Sequence, residues 1–481
     1  MIGDDAFEQY EPTVGIECHV QLATATKLFS ATDNDARDRE PNSVVSEIDY
    51  GLPGMLPVLN RRAVTLTVKA GLALNAQIAH VSSFDRKHYF YPDLPKGYQI
   101  SQLYHPLVGA GVVNVPREGG VTTPVRIHHA HLEEDAGKLT HFGDHSLVDL
   151  NRAGTPLLEI VSESDIHSAE LAKAYAFELY LLMIYADVTL GDLYHGNMRF
   201  DVNVSVAKKG AALGTRAEIK NLNSFRSVER VVDYEFKRQV ELLEKGELIV
   251  QETRGWDEAK QKTASQRSKE NAHDYRYMPE PDVPPIVLSQ ETIEEVQATM
   301  PVLPAHYRER WQSIGLDESV VAKLLSDPQV AETMLVVQES AGDEHARRVA
   351  NWYASAVAGE SDTSDNQAAV DSPRLVELSQ MVGASELSST AAREIFVELL
   401  GGNDAAPRQI AESKNLLQLS DQNEIIAIVE KVLADPSAQQ AVADIKAGND
   451  KAIGFLVGQI MKLSHGKANP ALAQKLIRER L

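Results

Sequence analysis

The chain has 481 residues, 43% hydrophobic and 24% charged, with a formal net charge of −22 and one cysteine. That length suggests two to four domains at ~100–200 residues each, and the composition is that of a soluble protein with ample material for a core. A lone cysteine excludes a disulfide framework and any Cys-x-x-Cys zinc site, the acidity argues against broad nucleic-acid binding, and no apolar run reaches the ~18 residues of a membrane span.

Met1-Ile2-Gly3-Asp4-Asp5 lacks the basic-then-apolar pattern of a signal peptide, so a reduced, cytoplasmic setting is expected. Val14-Gly15-Ile16-Glu17-Cys18-His19-Val20 reads as a short strand. Alternation puts Glu17 and His19 on one face and Cys18 on the other. Lys87-His88-Tyr89-Phe90-Tyr91-Pro92-Asp93 places Lys87, Tyr89, Tyr91 and Asp93 on a common side. Gly109-Ala110-Gly111 begins like a dinucleotide fingerprint, but Asn114 holds the third glycine position, and no G-x-x-x-x-G-K-[ST] loop occurs. Val121–Ile127, Phe200–Val206 and Pro285–Leu288 are further strand-like runs.

Past about residue 290 the pattern turns helical. Asp317 precedes a segment with Val320, Val321, Leu324 and Leu325 on one face. Asp327-Pro328 and Asp435-Pro436 each read as an N-cap followed by a first-turn proline. Asp421 and Glu424 resemble a capping box ahead of the stripe Ile425, Ile428, Val429, Val432 and Leu433. Gly359–Ser372 is small, polar and acidic, and reads as a flexible loop or linker. Residues 451–481 carry six basic residues against Glu479 alone. A basic end on an acidic protein is either a phosphate-contacting surface or a solvated helix face.

Several polar strand faces carry oxygen and nitrogen donors. Asp201, Asn203 and Ser205 share a face. Glu218 lies between Arg216 and Lys220, and His131 adjoins Glu133, Glu134 and Asp135. Solvated sheet faces are common, but Asp, Glu, Asn and His together are the donors of a hard-cation site. The residues suit a metal-dependent phosphoryl-transfer site, or an acid/base pair acting on carbohydrate or peptide.

Val14–Val20, the long run Phe84–Gln102, Leu132–Lys138, Asp149–Leu157, Glu218–Ser224, Asp274–Asp282 and Gly454–Lys462 closely resemble the B subunit of the tRNA-dependent amidotransferase. The likeness runs in consistent order from about residue 13 to the C-terminus. It implies an α/β (α+β) cradle-like catalytic domain with a mixed or antiparallel sheet over 1–291, an all-α helical domain over 292–405 and a small helical, tRNA-binding tail domain over 406–481. It also implies a heterotrimer with an amidase (A) subunit and a small C subunit, acting on misacylated tRNA away from any membrane. The B subunit uses ATP and Mg2+ to phosphorylate the side-chain carboxylate of glutamate or aspartate misacylated on tRNA, and ammonia comes from glutamine in the A subunit.

By that resemblance, Glu17, His19, Glu133 or Glu134, Asp201 and Glu218 form a metal edge. Lys87, Arg152 and Lys220 contact phosphate or carboxylate. Tyr89, Tyr91, Asn151 and Asn203 shape the pocket, and Lys462, Lys467 and Lys475 contact tRNA. Some relatives carry zinc-binding cysteine pairs that are absent here, so no zinc is expected. Cys18 stands where an aliphatic residue is common, and Met278 where an aromatic is. A non-catalytic tRNA-binding scaffold and a free-standing ATP-dependent amide ligase are the competing readings.

Overall fold

Alternation in Tyr10–Gln21 (β1) buries Val14, Ile16, Cys18 and Val20 on one face and leaves Glu17, His19 and Gln21 half-buried on the other. A one-residue slip would drive Glu17 and His19 into the core, so the register is strongly fixed. Each buried aliphatic side chain contributes about 1.5–3 kcal/mol to holding it. The computed structural model describes residues 4–268, 275–356, 370–418, 422–446, 449–464 and 468–481. They form two compact units, Met1–Pro304 and Ala305–Leu481.

In the first unit β1 is central to an eight-stranded sheet. The other strands are Gly111–Arg117 (β2), Val121–Glu134 (β3), Pro156–Ser162 (β4), Met198–Lys208 (β5), Ala217–Leu222 (β6), Glu252–Asp257 (β7) and Lys262–Ser268 (β8). Their order is β8-β7-β6-β5-β1-β4-β3-β2. The β6–β7 pair is parallel and the other pairs are antiparallel. The strand anticipated at Val121–Ile127 continues to Glu134 past a register shift between Ile127 and His129.

The helices Ala169–Tyr185 (α1) and Phe225–Glu244 (α2) bury Tyr175, Leu179, Val228 and Val231 in the same core as Val14, Cys18 and Val204. Ser168 and Ser224 cap them, each accepting a bond from the amide three residues on. The apolar face of the sheet is thus covered, and its polar face carries the chemistry described below.

Asp85–His88, Tyr98–Ser101 and Met278–Pro279 form a small separate sheet. Here the expected alternation fails. The strand stops at His88, and Leu94 N donates to Tyr91 O in a turn through Pro92. Tyr91 is 53% exposed rather than aligned with Lys87. The change from strand to helix falls between Val287 and Gln290, and the helix Gln290–Gln297 adds Ile293 to the first unit's core.

The second unit is helical among its described residues. Helices follow Asp317 and Asp327, and Asp327 accepts bonds from the amides of Gln329 and Val330. Asp435 caps a 3-10 turn, Pro436–Ala438, ahead of the helix Gln439–Lys446. Asp421 lies outside the described residues, but Ile425, Val429 and Val432 of the helix Gln422–Ala434 are buried as the stripe anticipates. They pack with Leu456, Ile460 and Leu476. Most of Gly359–Ser372 also lies outside the described residues, and it runs into a helix at Ser372. Val370 is buried, and Asp371 caps the helix Ser372–Gly383. No helix among the described residues is long and apolar enough to cross a membrane.

Candidate functional site

Strand register brings five strands' polar side chains together over β1. Glu17 lies opposite Asp201 and His19 opposite Arg199 on β5. His19 also pairs with Glu159 on β4, which in turn pairs with His131 on β3. Two trios result: Glu17, Asp201 and Glu218, and His19, Glu133 and Glu159. Within each, donor atoms lie within 4.8 Å of one another. Because Glu17 and His19 are alternate residues of β1, the trios sit side by side, about 7 Å apart by strand rise.

In the first trio Lys220 Nζ lies 3.1 Å from Asp201 Oδ2 and 3.0 Å from Glu218 Oε1. Asn203 Nδ2 donates to Glu17 Oε1 at 3.0 Å, and Thr253 Oγ1 to Glu218 Oε2 at 3.0 Å. Asn221 has a left-handed φ of 60°, beside a register irregularity at Phe200–Val202, and its amide donates to Asp201 Oδ1. Burial, reinforced by the charge of Glu159, raises the Glu17 carboxyl above its ordinary pKa, and Lys220 opposes this. Burial works against the Lys220 ammonium, but Asp201 and Glu218 hold it well above its usual value. Three carboxylates facing one ammonium leave net negative charge, and their oxygens suit a hard divalent cation.

The second trio is richer in nitrogen. His19 Nε2 lies 3.3 Å from Glu159 Oε2 and 3.8 Å from Glu133 Oε1, and His131 Nε2 is 3.6 Å from each of these glutamates. Burial disfavours the imidazolium of His19, but Glu159, then Glu133 and Asp201, outweigh it and hold its pKa at about 9. Burial likewise opposes the charge on Glu159, yet His131 and His19 keep it ionised well below the usual range. Lys87 faces the same carboxylates. Its desolvation is outweighed by Glu133, Tyr277 and Glu159, which raise its pKa. The buried Nδ1 of His131 has no hydrogen-bond partner among the described residues. One imidazole and two carboxylates also form a set that fits a divalent cation.

Glu134 does not join either trio. Alternation turns it to the opposite face of β3, where it accepts bonds from Lys96 Nζ and from the Ile100 amide. Of the two acids, Glu133 is the one whose carboxylate lies beside His19 and Glu159. Cys18 is fully buried behind β1, and desolvation raises its thiol well above the ordinary pKa.

Residues 12–294 match the family described as GatB/GatE catalytic domain, and residues 336–481 match the GatB domain. The chain belongs to the GatB/GatE family. Relatives of nearly equal length each bear the name of the B subunit of an aspartyl/glutamyl-tRNA(Asn/Gln) amidotransferase. One from Persephonella marina is 44% identical over 98% of this chain and all of its own length. One from Alkalilimnicola ehrlichii is 46% identical over 98% of this chain and 99% of its own. One from Carboxydothermus hydrogenoformans is 41% identical over the same shares.

The remaining anticipated residues of this GatB/GatE chain fall into different surroundings. Lys87, Lys220 and Asn203 belong to the clustered face. Asn151 is a buried tether, accepting from the Val44 amide and donating to Glu40 O. Tyr89 stacks edge-on against Tyr275 at 6.2 Å, and its phenol pKa is raised by burial and by Asp93. Tyr91 points into solvent. Arg152 donates to Ala136 O and Gly137 O and lines a cavity of about 590 Å3 with Gln21 and Asn197. A second cavity, about 530 Å3, lies by Glu17, Asn203 and Arg216. Lys462 and Lys475 are exposed on the last helices, Ile453–Leu463 and Pro470–Arg480, whereas Lys467 lies outside the described residues.

Glu159 and Arg199 are residues of this face that sequence reasoning missed, whereas His131 was noted beside Glu133 but given no role. Glu159 had a signal, being the one charged residue of Pro156–Ser162, an otherwise apolar and β-branched run. Arg199 had one too, standing two residues before Asp201 in the same strand.

Proposed function

We propose that this chain is the B subunit of an amidotransferase that converts glutamate or aspartate misacylated on tRNA to the amide. In this reading it assembles with an amidase (A) subunit and a small C subunit, uses ATP with Mg2+, and works in the cytoplasm. The observation that carries the reading is the pair of adjacent trios sharing β1, one of oxygens beside Lys220 and one joining His19 to two glutamates. The names of the full-length relatives support it.

A carboxylate does not expel oxide, so ammonia cannot displace it directly. Attack of a carboxylate oxygen on the terminal phosphoryl group of ATP forms an acyl phosphate and releases ADP. Ammonia then adds to the acyl carbon, phosphate leaves, and the amide forms with loss of a proton. Phosphoryl transfer depends mainly on positioning and on neutralising charge. Glu17, Asp201 and Glu218, and beside them His19, Glu133 and Glu159, would hold Mg2+, which when bound supplies charge neutralisation to phosphoryl oxygens. Lys220 and Lys87 remain cationic under the surrounding carboxylates and bring positive charge to the same face. Cys18 is buried away from this face and is no nucleophile for making ammonia from glutamine, consistent with a separate glutaminase partner.

The test is ADP release by the chain assembled with its partners, with and without misacylated tRNA. Release that requires the misacylated tRNA is the expected result. Absence of ATP turnover under every condition would leave only a tRNA-binding scaffold.

A further inference from the structure

Beyond the His19 row, the same face of β1 reaches Gln21, and Asn197 stands just ahead of β5. Asn197 Nδ2 donates to Gln21 Oε1 at 3.0 Å, and Gln21 N donates to Asn197 O at 2.8 Å. Gln21 and Asn197 line the cavity of about 590 Å3, as does Arg152. Arg199 lies directly opposite His19 and two residues after Asn197, between the two trios and this cavity.

The Arg199 side chain is 21% exposed, and among the described residues its guanidinium has one hydrogen-bond acceptor, Asp135 Oδ2 at 2.9 Å. The same Asp135 oxygen lies 3.3 Å from Arg152 Nε. Asp135 is itself rigidly held. Its amide donates to Thr155 O, its carbonyl accepts from Gly154 N, and its Oδ1 accepts from Ala136 N. Arg152 also interacts with the Asp93 carboxylate, whereas Asp135 is the one ion-pair partner of Arg199 among the described residues. The planar fork of an arginine matches a carboxylate better than a point-charge ammonium does.

We propose that Arg199 receives the side-chain carboxylate of the aminoacyl ester, and that Asp135 is the positioning residue that aims it. This inference rests on the amidotransferase reading. A phosphoryl group would also suit an arginine, but placement favours the carboxylate. Lys220 serves the Glu17 trio, where the cavity of about 530 Å3 lies. Arg199 lies toward the other cavity, whose wall carries Asp38 together with Asp35 and Asp33, the last two paired with Arg37 and Arg39. An aminoacyl ester bears an α-ammonium as well as a carboxylate, and a site with Asp38 on its wall and an arginine at its inner side matches both charges.

The experiment measures KM for misacylated tRNA and for ATP in the assembled enzyme. Arg199→Ala should raise KM for misacylated tRNA about 10- to 100-fold, the loss of one charge-assisted bond, and leave KM for ATP unchanged. Guanidinium ion in the buffer should restore part of the Arg199→Ala loss, and Arg199→Lys should retain part of the affinity. Asp135→Asn should raise the same KM to a smaller extent. An unchanged KM for misacylated tRNA, or a rise in KM for ATP in its place, overturns the inference while wild-type turnover leaves the amidotransferase reading standing. No ADP release by the wild type overturns both. If Arg199→Ala does not assemble, Arg199→Lys decides by the same two constants.

Discussion

His19 and Glu159 meet across β1 and β4, Nε2 to Oε2 at 3.3 Å, and each sets the other's charge. Burial alone would strip the proton from His19. Glu159, helped by Glu133 and Asp201, reverses that and holds the imidazolium at about 9. In the metal-free protein, Glu159→Gln should therefore lower the His19 pKa toward or below 6.5, its ordinary value. Each unit of the fall is about 1.4 kcal/mol of lost interaction. NMR titration of the His19 ring checks this. A His19 pKa that stays near 9 would mean that Glu133 and Asp201 suffice.

The two faces of β1 predict opposite outcomes for neighbouring residues. Cys18→Val keeps an apolar side chain of similar size in the core, and should cost less than about 1.5 kcal/mol and leave turnover intact. Glu17→Ala should abolish most tRNA-dependent ADP release while the protein still folds, because Glu17 is half-buried on the polar face rather than in the core. Loss of turnover in a well-folded Cys18→Val would overturn this division. The native thiol, buried and raised in pKa, should also resist alkylation until the protein is unfolded.

These opposite roles were legible because a strand's period is two, and that parity follows from sequence alone. It assigned Glu17, His19, Asp201, Asn203 and Glu218 to polar faces, and it paired Glu133 with His129 and His131. It carried no information on which strands are neighbours. Glu159 reaches His19 only because β4 lies between β1 and β3, a pairing set by long-range topology. Nor does periodicity say where a strand ends. Alternation after His88 suggested a face shared by Lys87 and Tyr91, but the Pro92 turn dissolved it. Asn151 resembled a pocket residue by its place in a motif, whereas its amide is spent tying down Val44 and Glu40.

A pH dependence of stability should arise away from the site. Glu235 of α2 is fully buried and bonds Arg238 Nη2 at 2.7 Å, with Arg254 Nε of β7 at 3.2 Å. Burial works to raise its pKa, but Arg238, Thr263 and Gln239 bring it below the ordinary 4.5. The folded state therefore binds this proton later than the unfolded chain as pH falls. The stabilisation is fully present above about 4.5 and is lost as pH drops through the depressed value. Glu235→Gln should cost on the order of 3 kcal/mol at neutral pH, since it removes the buried carboxylate that pairs with both Arg238 and Arg254. It should also flatten the acid side of the stability curve. Urea denaturation from about pH 3.5 to about pH 7 checks both. An unchanged acid slope would place the acid-sensitive group elsewhere.

The C-terminal lysines should act through salt rather than through catalysis. Lys475 is 71% exposed and has a loose 3.8 Å contact with Glu479, so little of its charge is committed within the chain. Lys462 is exposed in the last turn of its helix. If both contact tRNA phosphates, replacing them with alanine should weaken tRNA binding and reduce the slope of log affinity against log salt by roughly 1 to 2. KM for ATP should not change, because neither lysine belongs to a trio. Filter binding or fluorescence anisotropy over a salt series gives the slope. An affinity and slope equal to wild type would assign these lysines to a solvated helix face, since a phosphate contact cannot be removed without releasing fewer counterions.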